Sequence, residues 1–207
     1  MTHAHEVLPT RFRRALLYVV QELGEVNVTK LQKILYLADL EHFNETGTTL
    51  TGARWVRYTH GPMAKALVPS TNLMDGHEVT VALEQAGQYE AKIYRPGPSP
   101  RFRPGLTTEE RGTLDRIIAL TRPLTAKDAI RLAYNTSPMR LLLRLEEAAG
   151  SLMLDVEIPF EMDESTLADV ASPTTVADAQ SRAIFKRREL DRVRDLRDSA
   201  LATATAE

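Results

Sequence analysis

The chain has 207 residues, 43% of them hydrophobic and 26% charged, which suffices to bury a core without staples. It has no cysteine, which excludes disulfides, thiolate metal sites and a cysteine nucleophile, and its formal net charge of −2 names no partner class. No apolar run reaches the ~18 residues of a membrane span, and the opening MTHAHEVLPTRFRR has no apolar signal core, so a cytoplasmic protein without a membrane partner is expected.

Arg11 to Leu23 reads as a helix, with Phe12, Ala15, Leu16, Val19, Val20 and Leu23 on one face and Gly24 as its stop. The segment Asn27-Val28-Thr29 offers an N-cap to a second helix over about Lys30 to Glu45. Leu31, Ile34, Leu35 and Ala38 form its stripe, widened by Tyr36, Leu37, Leu40 and Phe43. A helix this apolar all round belongs in the centre of the fold. Gly47 ends it, and residues 53–58 alternate as a short strand. His60-Gly61-Pro62 is a sharp turn. Pro62 suits the first turn of a helix from Met63 to about Leu73, with Pro69 as a break.

Val79–Leu83 and Tyr89–Tyr94 alternate around Gln85-Ala86-Gly87-Gln88, as in a hairpin. The Pro/Gly-rich stretch 95–105 is an extended connector. Thr107 or Thr108, with Glu109 and Glu110, opens a helix to Leu120, and Thr125 with Asp128 caps another to Tyr134. The turn Asn135-Thr136-Ser137-Pro138 introduces a helix over Met139–Ala149, stopped by Gly150. Met153–Phe160 reads as a strand or extended arm, and Asp163 caps a short helix that Pro173 breaks. Thr175–Leu196 closes the chain as a charged helix before a fraying tail.

Charge is unevenly placed. Residues 1–144 carry 19 Lys/Arg and 14 Asp/Glu, residues 145–181 carry nine acids and no base, and residues 182–207 carry seven bases and five acids. The middle block interleaves acids with Leu152, Met153, Leu154, Val156, Ile158, Phe160 and Met162. It fits either a solvated edge or a charged rim around apolar anchors for a basic partner. The stretch 182–198 holds six arginines and one lysine, but Arg187–Asp191 and Arg194–Asp198 pair at i,i+4 and favour a solvated helix over a phosphate-binding one.

Asp39, Glu41 and His42 invite a metal reading, yet no second ligand pair with metal-like spacing accompanies them; a structural role is expected. Met1-Thr2-His3 reads as a loose terminus rather than a metal chelate. Motifs for a nucleophile elbow, a dinucleotide fold or a P-loop are missing from the sequence, and neither an enzyme nor a cofactor is expected.

The stretch Lys30-Leu31-Gln32-Lys33-Ile34-Leu35-Tyr36-Leu37-Ala38-Asp39, followed by Gly47, Gly52, Trp55, Tyr58 and Gly61-Pro62, resembles the Panacea domain of SocA-like antitoxins in order and spacing. The segment Ala129–Pro138 resembles that family's C-terminal element, although Met139-Arg140 stands where the family usually has a Trp. The resemblance covers roughly residues 10–145. It implies an α+β, predominantly helical fold with a small antiparallel sheet, expected here from about residues 54–58, 79–83 and 89–94. Leu31, Tyr36, Gly52, Trp55, Tyr58, Gly61 and Pro62 read as its scaffold.

The resemblance further implies an antitoxin of a bacterial or phage toxin–antitoxin pair, with phage defence among its settings. The partner would be a cognate toxin, often encoded by the adjacent gene, and for some members a Clp-type protease to which the toxin is delivered. The expected organisation is a Panacea-like domain over 1–149 and an acidic arm with a charged helix over 150–207, with Glu157, Phe160, Glu161, Asp163 and Glu164 as partner-binding residues. The alternatives are a protease adaptor or a DNA-binding regulator, whose helix-turn-helix at 11–45 would offer Arg11, Arg13, Arg14, Lys30 and Lys33 to nucleic acid.

Overall fold

In a computed structural model of the chain, residues 10–65, 67, 76–86, 89–98 and 105–184 are described. The expected loose N-terminus, most of the helix sought over 63–73, the turn at 87–88, much of the Pro/Gly connector and the last helix beyond residue 184 lie outside them.

Helix α1 (Thr10–Leu23) buries Phe12, Ala15, Leu16, Leu17, Val19 and Val20, the stripe its spacing requires. Gly24 stops it at φ 72°. A two-residue strand β1 (Val26–Asn27) leads into helix α2 (Val28–Thr46), where the Asn27 side chain accepts the Lys30 N–H and Gly47 closes the far end in the left-handed conformation. Every residue from Leu31 to Asp39 is buried, so α2 is the axis of the molecule. It packs against α1, against a hairpin of β2 (Trp55–Tyr58) and β3 (Gly61–Ala64), and against later helices.

Two more strands, β4 (Val79–Ala86) and β5 (Tyr89–Pro96), pair antiparallel. Helix α3 (Thr108–Thr121) opens with a capping box in which Thr107 and Glu110 satisfy each other's backbone N–H. Helix α4 (Ala126–Tyr134) is capped by Thr125, and helix α5 (Ser137–Ala149) ends at Gly150, φ 62°. The Tyr36 and Thr136 hydroxyls, 2.9 Å apart, tie the middle of α2 to the α4–α5 turn. A short helix α6 (Glu164–Val170) follows, capped by Asp163, and residues 173–184 are helical.

The expected class is right: the fold is α+β and predominantly helical, with small antiparallel sheets. The single expected sheet is replaced by two. One has the order β1-β5-β4 and the other is the β2–β3 hairpin. Val26 pairs with Tyr94 and Asn27 with Ile93, and two residues are too few to show a period in the sequence. Pro62 also lies in a strand, not at a helix start: it pairs with Arg57 across the hairpin. Its lack of an N–H is tolerated because β3 is an edge strand. Gly61 is needed here, because its φ is 89° and a Cβ would lie 3.3 Å from the Tyr134 ring.

Candidate functional site: a buried polar hub beneath an acidic arm

The apolar helix α2 carries two ionisable residues inward, and each must find partners. The Asp39 carboxylate is fully buried. It accepts from the Thr51 N–H at 2.6 Å, from the Trp55 indole N–H at 2.7 Å and from the Thr51 hydroxyl. Burial pushes its carboxyl up to about 6, against the pull of these donors. The contacts clamp α2 to the start of the β2–β3 hairpin. Trp55 also sits edge-on to Tyr36, with ring centroids 5.6 Å apart.

Lys33 projects toward the other end of the hairpin, where its amine donates to the Pro62 carbonyl at 2.6 Å. Burial pushes the amine down to about 7, and the positive charge of Arg57 pushes in the same direction. A pKa depressed on folding gives stability that is complete above the unfolded value of 10.5 and is lost as pH falls through the folded value near 7. Unfolding in urea is therefore expected to become harder between about pH 7 and pH 9, and Lys33→Met is expected to flatten that rise. A rise of equal slope in the variant would contradict the assignment.

Arg57 and Glu146 form the third element. Arg57 Nε lies 2.8 Å from Glu146 Oε1 and Nη2 donates to Oε2 at 3.1 Å, a buried ion pair with side chains 3% and 9% exposed. Arg57 Nη1 donates to the Tyr58 carbonyl, and the guanidinium lies 5.3 Å from the Tyr134 ring centroid. Glu146 Oε1 also accepts the Met153 N–H at 2.9 Å. One buried carboxylate thus joins the hairpin, α5 and the first residues of the arm.

From there the arm runs along β2. The Arg57 N–H donates to Val156 O, Asp155 N–H to Arg57 O, and Ile158 N–H to Trp55 O, at 2.8, 2.8 and 2.9 Å. Met153, Val156 and Ile158 enter the main core. Phe160 is half-buried, edge-on to Tyr36 at 5.6 Å and to Phe43 at 5.8 Å.

The five residues singled out as partner-binding occupy unlike places. Phe160 anchors the arm to α2. Glu157 is exposed and meets the exposed Arg54 at 2.6 Å, a solvent-screened pair. Glu161, Asp163 and Glu164 are exposed. Asp163 accepts the Thr166 N–H at 2.7 Å, and this N-cap contact holds its carboxyl below the usual range. Of the scaffold residues, Leu31, Tyr36, Trp55, Gly61 and Pro62 are buried, Tyr58 is half-buried, and Gly52 turns the chain at φ 68°.

The hub of Lys33, Asp39, Arg57 and Glu146 was not singled out from the sequence. The available signal was ionisable residues inside a helix with no polar face. Lys33 bonds the Pro62 carbonyl, Asp39 bonds Thr51 and Trp55, and Arg57 pairs with Glu146, so together they tie α2, the hairpin and α5 to one another. No group of three or more potential metal-ligating side chains occurs among the described residues.

In the helix pair over 11–45, each basic residue named for nucleic acid holds a partner within the chain. Arg11 pairs with Glu110 and Arg13 with Glu78. Arg14 donates to Gly105 O, Lys30 to Arg122 O and Leu124 O, and Lys33 is buried on Pro62 O. A recognition helix needs an exposed side, and the run Leu31–Asp39 of α2 has none. Among the described residues, no helix is long and apolar enough to cross a membrane.

Compared with known proteins, residues 31–138 match the family model described as antitoxin SocA-like, Panacea domain. No curated protein and no solved structure matches the chain. The matched segment runs from Leu31 in α2 through the hairpin, β4, β5, α3 and α4 and includes Lys33, Asp39 and Arg57, and the chain belongs to the SocA-like antitoxin family through this Panacea domain.

Proposed function

We propose that this chain neutralises a cognate toxin by direct, stoichiometric contact, and that the arm after Gly150 carries much of that contact. The observation that carries the reading is the Panacea domain over residues 31–138. The arm supports it physically. Backbone pairing to β2 and the Phe160 anchor fix it in advance, so little ordering entropy is lost on binding. Its exposed acids surround Met162, a large apolar side chain 39% exposed, which suits a partner with basic residues around an apolar recess.

Capture of the tagged chain from its own host, with mass spectrometry of what remains bound, tests the reading. A near-stoichiometric protein that arrests growth when expressed alone, and not when co-expressed with this chain, is the expected result. Recovery of Clp-type protease subunits alone would point to an adaptor, and the absence of any toxic partner would overturn the proposal.

The arm has its own test. Glu157→Lys, Glu161→Lys and Glu164→Lys together, with Asp163 kept as helix cap, are expected to slow association about tenfold at low salt. The difference should shrink as salt is added. Unchanged association by surface plasmon resonance would remove the arm from the interface.

A further inference from the structure

Helix α5 presents Arg140 and Arg144 to solvent one turn apart, and among the described residues neither meets a carboxylate. Other described arginines are engaged elsewhere: Arg54, Arg57, Arg95 and Arg116 each hold an acid, Arg14, Arg122 and Arg182 each donate to a backbone carbonyl, and Arg111 lies over the Tyr18 ring. The two arginines line an open groove of about 490 Å³ together with Ser137, Leu143 and Met162. Leu143 lies on the same helix between them and is half-buried, while Met162 comes from the arm and is 39% exposed. The groove therefore has an apolar floor with two unpaired forked cations on α5.

We propose that this groove takes an amphipathic segment of the toxin in which two Asp or Glu residues flank an aliphatic or aromatic side chain. The inference rests on the direct-contact reading above and adds the chemistry of the partner. Each guanidinium can donate two N–H groups to one carboxylate, and the apolar side chain can cover Leu143 and Met162. Spacing of i,i+4 on α5 matches carboxylates one turn apart on a facing helix.

Charge decides against nucleic acid. Glu147 on α5 and Glu161, Asp163 and Glu164 beside Met162 are all exposed and would repel a continuous line of phosphates. Two isolated carboxylates avoid that repulsion. The same acids leave room for basic residues further along the partner, so the site reads a bipolar segment.

The test is selection of a displayed random-peptide library on the full chain. Enriched peptides should carry two acids around a Leu, Ile, Met or Phe. Fluorescence anisotropy of a labelled enriched peptide should show at least tenfold weaker binding to Arg140→Glu/Arg144→Glu and a smaller loss with Arg140→Lys/Arg144→Lys. Both variants should melt as the parent does, since the changed side chains are exposed. Peptides without acids, or binding indifferent to the Glu variant, would overturn the proposal. So would a labelled single-stranded oligonucleotide that binds through the same arginines.

The two readings fail separately. A captured toxin whose complex tolerates Arg140→Glu/Arg144→Glu removes the groove and keeps the antitoxin. Arginine-dependent acidic peptides with no toxin recovered remove the antitoxin reading, and with it the toxin as the occupant.

Discussion

Glu146→Ala is expected to destabilise the protein by about 3–5 kcal/mol, the range for breaking a buried ion pair from one side. Arg57 would keep its charge in a site where its side chain is 3% exposed, and the Met153 N–H would lose its acceptor. The Tyr58 carbonyl and Tyr134 ring remain beside the guanidinium but carry no full negative charge. Because Glu146 also holds the first residue of the arm, urea unfolding should be accompanied by faster hydrogen exchange at the Asp155 and Ile158 amides that pair with β2. The double change Arg57→Met/Glu146→Leu should recover much of the loss, since a buried pair replaced by apolar groups is often near neutral. A single-variant loss under about 1 kcal/mol would mean the pair is hydrated and does not join the arm to the body.

Trp55→Ala is expected to cost about 3–5 kcal/mol, as large-to-small changes of buried aromatics do. Trp55 is 2% exposed and lies among Phe12 and Tyr36, so the hole cannot fill with solvent without opening the core. Trp55→Phe separates the polar part. It keeps a ring and removes the indole N–H from Asp39, for an expected loss of about 1–3 kcal/mol. That donor favours the ionised carboxyl, so its removal should raise the Asp39 pKa above about 6. A carboxyl raised on folding gives stability that is full below its unfolded value and is lost as pH rises through the folded one. The penalty of Trp55→Phe should therefore be larger at pH 8 than at pH 5. Equal losses at both would show that Asp39 does not use the indole.

Local signals in the sequence locate the helices well. Asn27, Thr107 with Glu110, Thr125 and Asp163 are caps whose side chains bond within three residues, so short-range chemistry reveals them. Pro62 misleads because the same fixed φ suits a helix start and an edge strand, and only the pairing with Arg57 decides. The hub is less legible still. Arg57 and Glu146 are 89 residues apart, and Asp39 meets Trp55 across 16, so no window reveals either contact. The acidic composition of the arm is plain in the sequence. That Phe160 turns inward while Met162 faces a groove with Arg140 and Arg144 depends on the tertiary fold.

Titrating the isolated toxin's activity against increasing amounts of this chain tests the central claim most directly. The account predicts a linear fall to a sharp end point at a fixed molar ratio, with inhibition tracking the complex on size exclusion. Inhibition at far less than stoichiometric amounts would reveal turnover and an enzyme, and toxin activity unchanged at molar excess would contradict neutralisation by contact.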